Sequence, residues 1–284
     1  MEKGNKKGKK GKKEFLLCLV SVVILCLLLF PLFWIFITSL KTEKEIFQIP
    51  PTFYPHVLNT KSYAAQVGNG DFNMFRSFAN SLIISAGAMV IAVILAVPAS
   101  YAVARYRFKG RNGMLLCFLV TQMLPVSVLL TPMFIMFKGM HIYNTRLSAI
   151  LSDATLGIPF SVLILKNYFA SVPRDLEEAA YIDGCTRFLA FLRILLPVAK
   201  PGVVVCAIFS FLYGWGDLAY GMTFILDQKK RPITAGIFNF MGQYGTKWSY
   251  LTAFAIVTII PVALIFLFMQ KYIISGMTSG AVKG

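Results

Sequence analysis

The chain has 284 residues, of which 57% are hydrophobic and 14% charged, where an ordinary soluble domain is about a quarter charged. Its 28 Lys and Arg outnumber 12 Asp and Glu, for a formal charge of +16. With a mean hydropathy of +0.69, this composition excludes both a water-soluble globule and a disordered chain.

Residues 1–14 form a lysine-rich tail. No aromatic residue is interleaved with the lysines, so stacking on bases has no support, and the tail reads as a topogenic segment beside anionic lipid rather than a nucleic-acid arm. Residues 15–40 follow without a charge. As a helix they reach roughly 39 Å, enough for a ~30 Å hydrocarbon core. They are too long for a signal-peptide core and lack a small-residue cleavage site, so a retained first transmembrane helix is expected.

After a loop over residues 41–76 come further expected spans. They cover residues 77–104, 114–137 (interrupted by Pro125 and Pro132), 147–165 (weakened by Asp153, Gly157 and Pro159), 202–225 (with Asp217 near one end) and 251–269. Six spans place both termini on one side. With the N-terminus in the cytoplasm, eighteen Lys and Arg lie inside and ten outside. The positive-inside bias therefore predicts cytoplasmic termini, an extracytoplasmic loop over 41–76 and a cytoplasmic tail over 272–284. Trp34 and Trp248 then fall near the outer interface, where indoles prefer to sit.

The five cysteines (Cys18, Cys26, Cys117, Cys185 and Cys206) show no C-x-x-C or Cys/His spacing, and only His56 and His141 could join them. They read as small apolar packing residues, and no metal site is expected.

The most charged inner loop, residues 166–201, has the grammar of helix, turn, helix. Pro173 suits a first helical position, and Asp175, Glu177 and Glu178 place negative charge at the positive end of the helix dipole. Leu176, Ala179, Ala180 and Asp183 fall on one stripe, and Gly184 is expected to supply a left-handed C-terminal turn. Thr186 can cap a second helix that Pro197 limits. The same helix carries a small face (Ala179, Ala180) and an acidic edge (Glu178). Alanine lets two backbones approach, and a carboxylate can meet an arginine of a partner.

The order Glu178-Ala179-Ala180, three residues, Gly184, nine residues, Ile194, one residue and Leu196-Pro197 resembles the E-A-A-x3-G-x9-I-x-L-P loop of type I ABC importer permeases. Asn80-Ser81, the basic stretch from Arg105 to Arg111, Thr121-Gln122-Met123-Leu124-Pro125, Asn144-Thr145 and Gly242-Gln243-Tyr244 look like the carbohydrate-uptake branch. The tail from Gly276 is similar to that of the smaller permease of maltose-type importers.

The resemblance implies an all-α integral membrane protein of six transmembrane helices. Its permease core would cover residues 77–271, with the first helix as an accessory. It also implies that Glu177, Glu178, Ala179, Ala180, Asp183, Gly184, Ile194, Leu196 and Pro197 couple the subunit to its ATPase. The implied partners are a second permease, two ATP-binding subunits, an extracytoplasmic solute-binding protein, a carbohydrate substrate and the bilayer of a bacterial cell membrane, with no nucleic acid.

No G-x-x-x-x-G-K-[ST] occurs, so this chain is expected to bind no cofactor itself, leaving ATP and Mg to the partner subunits. No catalytic constellation stands out, and a transport subunit rather than an enzyme is expected. Polar residues inside spans are costly and usually face a cavity or a partner helix. Asn80, Gln122, Tyr213 and Asp217 are the candidates for a substrate pathway, ahead of Asp153, with interhelical hydrogen bonding as the competing role.

One rival reading keeps the fold but changes the cargo to a solute such as glycerol phosphate. Another is a secondary transporter without an ATPase. The latter calls for inverted repeats or a chain of intramembrane carboxylates, and neither is visible in the sequence.

Overall fold

A computed structural model describes residues 3–67, 73–242 and 245–281, with side chains for 14–67, 73–242 and 245–269. Gln243 and Tyr244 of the predicted Gly-Gln-Tyr motif and residues 282–284 of the tail lie outside the described residues, and the side chains of the tail lysines do too.

The described residues are mostly helical. In chain order the main helices are α1 (Lys3–Ser39), α2 (Met74–Arg105), α3 (Arg111–Met123), α4 (Val126–Gly139), α5 (Arg146–Ser171), α6 (Asp175–Ile182), α7 (Arg187–Val198), α8 (Lys200–Gly216), α9 (Ala219–Phe224) and α10 (Trp248–Ala281). Among the described residues, α1, α2, α5 and α10 each contain a stretch able to cross a bilayer. By length and composition, each of the bent pairs α3/α4 and α7/α8 can supply one more, for up to six. α1 runs unbroken from the lysine-rich tail into the first span.

Two expected spans are not single rods. The third breaks at Leu124-Pro125, and α3 and α4 meet at 102°. Proline at 125 disfavours helical backbone at residue 124, which is extended at ψ 125°. Pro132, the other expected interruption, sits inside α4. The fifth ends at Gly216. There the Asp217 carboxylate accepts the backbone N–H groups of Tyr220 (3.2 Å) and Gly221 (2.9 Å), capping the separate short helix α9.

The chain divides into two compact units, residues 1–66 with 240–257, and residues 67–239 with 258–284. In the first, Thr42 caps a helical turn whose Glu45 is buried but partnered. Its carboxylate accepts the Thr52 hydroxyl and the His56 N–H, both at 2.9 Å. The equally buried Lys41 donates to the Thr52 carbonyl and lies over the Trp34 ring, 5.1 Å from its centroid. Glu43 caps the start of α10, accepting from the N–H (2.9 Å) and the hydroxyl (2.7 Å) of Ser249. A two-residue antiparallel ribbon, Met241–Gly242 with Gly245–Thr246, precedes α10.

The second unit is built on α2, α5 and α8. On α2, Ser81, Ser85, Ala88, Ala92, Ala96 and Ser100 recur every third or fourth residue, and each is at most 1% exposed. α8 carries a similar seam of Gly202, Cys206, Ser210 and Gly214. Helices in lipid gain nothing from hiding hydrocarbon, so small residues hold them together by letting backbones approach. At Gly157 of α5, an added Cβ would sit 3.2 Å from the Ser210 hydroxyl and 3.4 Å from Ala92. Ser161 and Ser210 share a 3.3 Å hydrogen bond one turn further on.

The two ends of α2 are fastened differently. At its first turns, the Asn80 amide donates to the carbonyls of Lys229 and Arg231 (2.9 Å each) and accepts from Arg146 (2.8 Å). Asn144, in left-handed backbone at φ 60°, accepts the N–H groups of Leu226 and Asp227 at 2.9 Å. Its predicted Asn144-Thr145 pair thus serves as an anchor for the segment after α9. The far end, at Arg105, meets the two-helix loop.

Candidate functional site

The loop between α5 and α8 is assembled from α6 and α7. α6 ends in a Schellman arrangement, in which Cys185 N–H bonds to the Ala180 carbonyl (2.9 Å) and Gly184 N–H to that of Tyr181 (3.1 Å). The closure needs a residue at positive φ. Gly184 takes +82°, with open space where a side chain would point. Thr186 then caps α7, its hydroxyl accepting the Leu189 N–H at 3.3 Å. α7 widens into a π turn over Phe191–Leu195, where Leu196 N–H reaches back five residues to Phe191. Pro197, lacking an N–H, cannot continue the ordinary ladder.

The stripe of Leu176, Ala179, Ala180 and Asp183 does not share one environment, and of the small pair expected to be displayed Ala179 faces outward while Ala180 is buried. Leu176, Ala179 and Asp183 are exposed, whereas Glu177 (8% exposed) and Ala180 (1%) are buried. The cause is Arg105, the last residue of α2. Its guanidinium forms a 2.5 Å ion pair with Glu177 and donates to the Val172 carbonyl at the end of α5 (2.8 Å). Glu178 and Ala179 are left facing outward beside Ile182 (87% exposed), with Phe188 (70%) outward on α7.

Of the remaining predicted loop residues, Gly184 and Pro197 are exposed and Ile194 and Leu196 half-buried. Beneath the loop, Tyr101 packs against Phe169 and Phe191 with ring centroids 5.9 and 4.7 Å apart. A cavity of about 280 Å³ opens there, lined by Arg105, Glu177, Glu178 and Arg187 among others.

Arg105 was missed as a site residue by sequence reasoning. The available signal was its position, the first charge after the long neutral run of the second span.

The predicted pathway residues separate into two sets. Gln122 and Tyr213 line one cavity of about 300 Å³ between α3, α5 and α8, together with Leu156, Phe160, Phe209 and Ser210. The Gln122 amide donates to the Leu156 carbonyl (2.9 Å), and the Phe160 and Phe209 rings lie 5.4 Å apart. Asn80 and Asp217 are outside this cavity, their polar atoms engaged in the anchors described above. Asp153 is 2% exposed against the α8 seam, with no hydrogen-bond partner on either carboxyl oxygen.

A helical, multi-pass architecture with small-residue seams and a two-helix loop between α5 and α8 defines an integral membrane protein. The chain belongs to the family of binding-protein-dependent transport system inner membrane components, whose family model matches residues 88–279.

Among its relatives, a trehalose transport system permease of Mycobacterium tuberculosis is 36% identical, covering 90% of this chain and 93% of its own. A sulfoquinovosyl glycerol transport system permease of Agrobacterium fabrum is 32% identical, covering 90% and 89%. A bacterial ABC transporter involved in the import of the acidic polysaccharide alginate shares the fold at a TM-score of 0.78 and 19% identity, covering 93% of this chain and 97% of its own.

Proposed function

We propose that this chain is one of two permease subunits of an ATP-driven importer of carbohydrates. The permease pair would receive its sugar from an extracytoplasmic binding protein and draw on two ATPase subunits that hold the ATP and Mg. The observation that carries the reading is the loop geometry. Glu178 and Ala179 point outward, with a Gly184-capped turn behind them, as a docking knuckle requires. The Lys and Arg bias supports a cytoplasmic position for that loop and for both termini.

Closure of the docked ATPase pair would move the loop as a rigid body and swing the bundle between inward-open and outward-open forms. Relatives named for trehalose and for sulfoquinovosyl glycerol support a saccharide cargo over glycerol phosphate. The Gln122–Tyr213 cavity suits such a cargo. Aromatic rings offer flat faces to the C–H side of a sugar ring, and the Gln122 amide oxygen and the Tyr213 hydroxyl supply hydrogen bonds.

The test is purification in mild detergent followed by reconstitution. ATPase subunits and a second permease should co-purify, and ATP-loaded vesicles should take up a member of a disaccharide and oligosaccharide panel in preference to glycerol phosphate. Recovery without any ATPase subunit, or preferential uptake of glycerol phosphate, would contradict the proposal.

A further inference from the structure

Glu177 belongs to the acidic patch at the start of α6, yet it does not face the side on which Glu178 and Ala179 are displayed. It is 8% exposed, and its carboxylate pairs with the Arg105 guanidinium at 2.5 Å. The side chains of this pair are 7% and 10% exposed, so neither charge is free for a large partner. The same guanidinium holds the Val172 carbonyl at the last turn of α5. One side chain therefore joins three elements: the end of α2, the end of α5 and the loop helix α6.

We propose that the Arg105–Glu177 pair is a rigid strut that makes α6 and α2 move as one body. This inference rests on the docking reading above and names the route by which a push on α6 enters the bundle.

Three features favour a strut over a simple staple. First, the pair is mostly shielded from water, so breaking it strands a charge, and a partly moved state is unfavourable. Second, the planar guanidinium serves two acceptors on separate elements, which fixes direction as well as distance in a way a lysine cannot. Third, Tyr101, one turn before Arg105, packs on Phe169 of α5 and Phe191 of α7, so the ion pair stands on a stiff aromatic base. α2 carries the small-residue seam shared with α5 and α8, so displacement of its end is passed along the whole seam. Arg105 and Glu177 are positioning residues, since they act through α2 and α6 rather than on cargo or nucleotide.

The experiment uses the assembled complex in nanodiscs, with a ketone-bearing amino acid introduced and spin-labelled at Ile94 of α2 and Asp175 of α6. Both positions are exposed, and the native cysteines stay in place. Pulsed electron–electron resonance then measures the distance with no nucleotide and after trapping with ATP, Mg and vanadate. In the wild-type strut the distance should be narrow and agree between the two states to within ~1 Å. In R105Q and E177Q it should broaden and differ by ~2–5 Å, the scale of a helix slipping on its neighbour. R105K, keeping the charge but losing the fork, should fall between.

A wild-type distance that shifts by several ångströms on trapping overturns the strut, and so do glutamine variants that keep the wild-type distance in both states. If R105Q does not reach the membrane, E177Q, which conserves size, decides the question. Should no ATPase subunit co-purify even with wild type, the docking reading falls. The strut is then judged on the nucleotide-free widths, where broadening in E177Q upholds it and equal widths overturn it.

Discussion

The Asp153 carboxylate occupies the space that a side chain on Gly214 would fill, its Oδ2 lying 3.2 Å from the point where a Gly214 Cβ would stand. The Ser85 Cα of α2 is equally close to that point at 3.2 Å, and backbone cannot rotate away. Gly202 is tighter still, because an added Cβ would meet the Tyr168 ring at 2.5 Å. At Gly157, by contrast, the nearest atom is the rotatable Ser210 hydroxyl at 3.2 Å. Gly202→Ala and Gly214→Ala are therefore expected to destabilise the bundle by about 1–3 kcal/mol, and Gly157→Ala by less than about 1 kcal/mol. Monodispersity after graded heating in detergent should rank wild type and G157A above G214A and G202A. A G202A protein as heat-resistant as wild type would contradict the packing account.

Asn80 offers a second test. Its amide spends both donors and its acceptor on three residues of the fold, so its loss should free the segment after α9 rather than alter cargo preference. Asn80→Ala should leave about three hydrogen bonds unmade, at roughly 1 kcal/mol each. Hydrogen exchange over residues 226–233 should accelerate at least tenfold, while the sugar preference of uptake stays as in wild type. Changed preference with unchanged exchange would return Asn80 to the pathway.

The spans were legible because lipid imposes length and apolarity, and both can be counted along the chain. The Gly184 turn and the Thr186 cap were legible because each depends on one residue type at one local position. Two kinds of feature escaped. Pro125 announces a break, but the 102° between α3 and α4 is set by what each half packs against. The inward face of α6 could not be read from its own spacing, which only groups Leu176, Ala179, Ala180 and Asp183, because the partner that holds Glu177 inside, Arg105, is far away in the chain. Asn80 and Gln122 looked equivalent as polar residues in apolar runs. Only the fold shows that one is used up in anchoring while the other lines a cavity.

Acid should loosen the turn after α1. Burial acts to raise the pKa of Glu45. The His56 N–H, the Thr52 hydroxyl and the charges of His56 and Lys41 outweigh it and hold the carboxyl below its ordinary value. A carboxyl depressed in the folded state contributes stability that is fully present above its unfolded pKa, about 4.3, and is lost as pH falls through the lower folded value. Trp34, with its ring 5.6 Å from Phe53 and Lys41 above it, reports on the same turn. Its emission should be flat from neutral pH to about 5 and change below about 4. Glu45→Gln should abolish this dependence, with Trp34→Phe identifying the signal. A transition that survives in E45Q would assign the effect to another group.

The outward and inward acidic residues of α6 should fail in different ways when altered. Glu178 is exposed at the rim of the cavity beneath the loop and, unlike Glu177, is not held by Arg105, so the Glu178→Lys protein should reach the membrane at wild-type level. A partner arginine would then face a like charge, a reversal that costs several kcal/mol at a close interface. Co-purification of the ATPase subunits should drop at least tenfold. Gly184→Trp should act similarly, since its side chain would project into open space next to α6 while the turn carries the strain of φ +82°. Gly184→Ala carries the backbone strain, about 1–2 kcal/mol, without the bulk. Quantifying retained ATPase subunits should therefore place G184A between wild type and G184W. Equal retention in E178K, G184W and wild type would mean that this face of α6 docks nothing, because reversed charge and added bulk would both have met no partner.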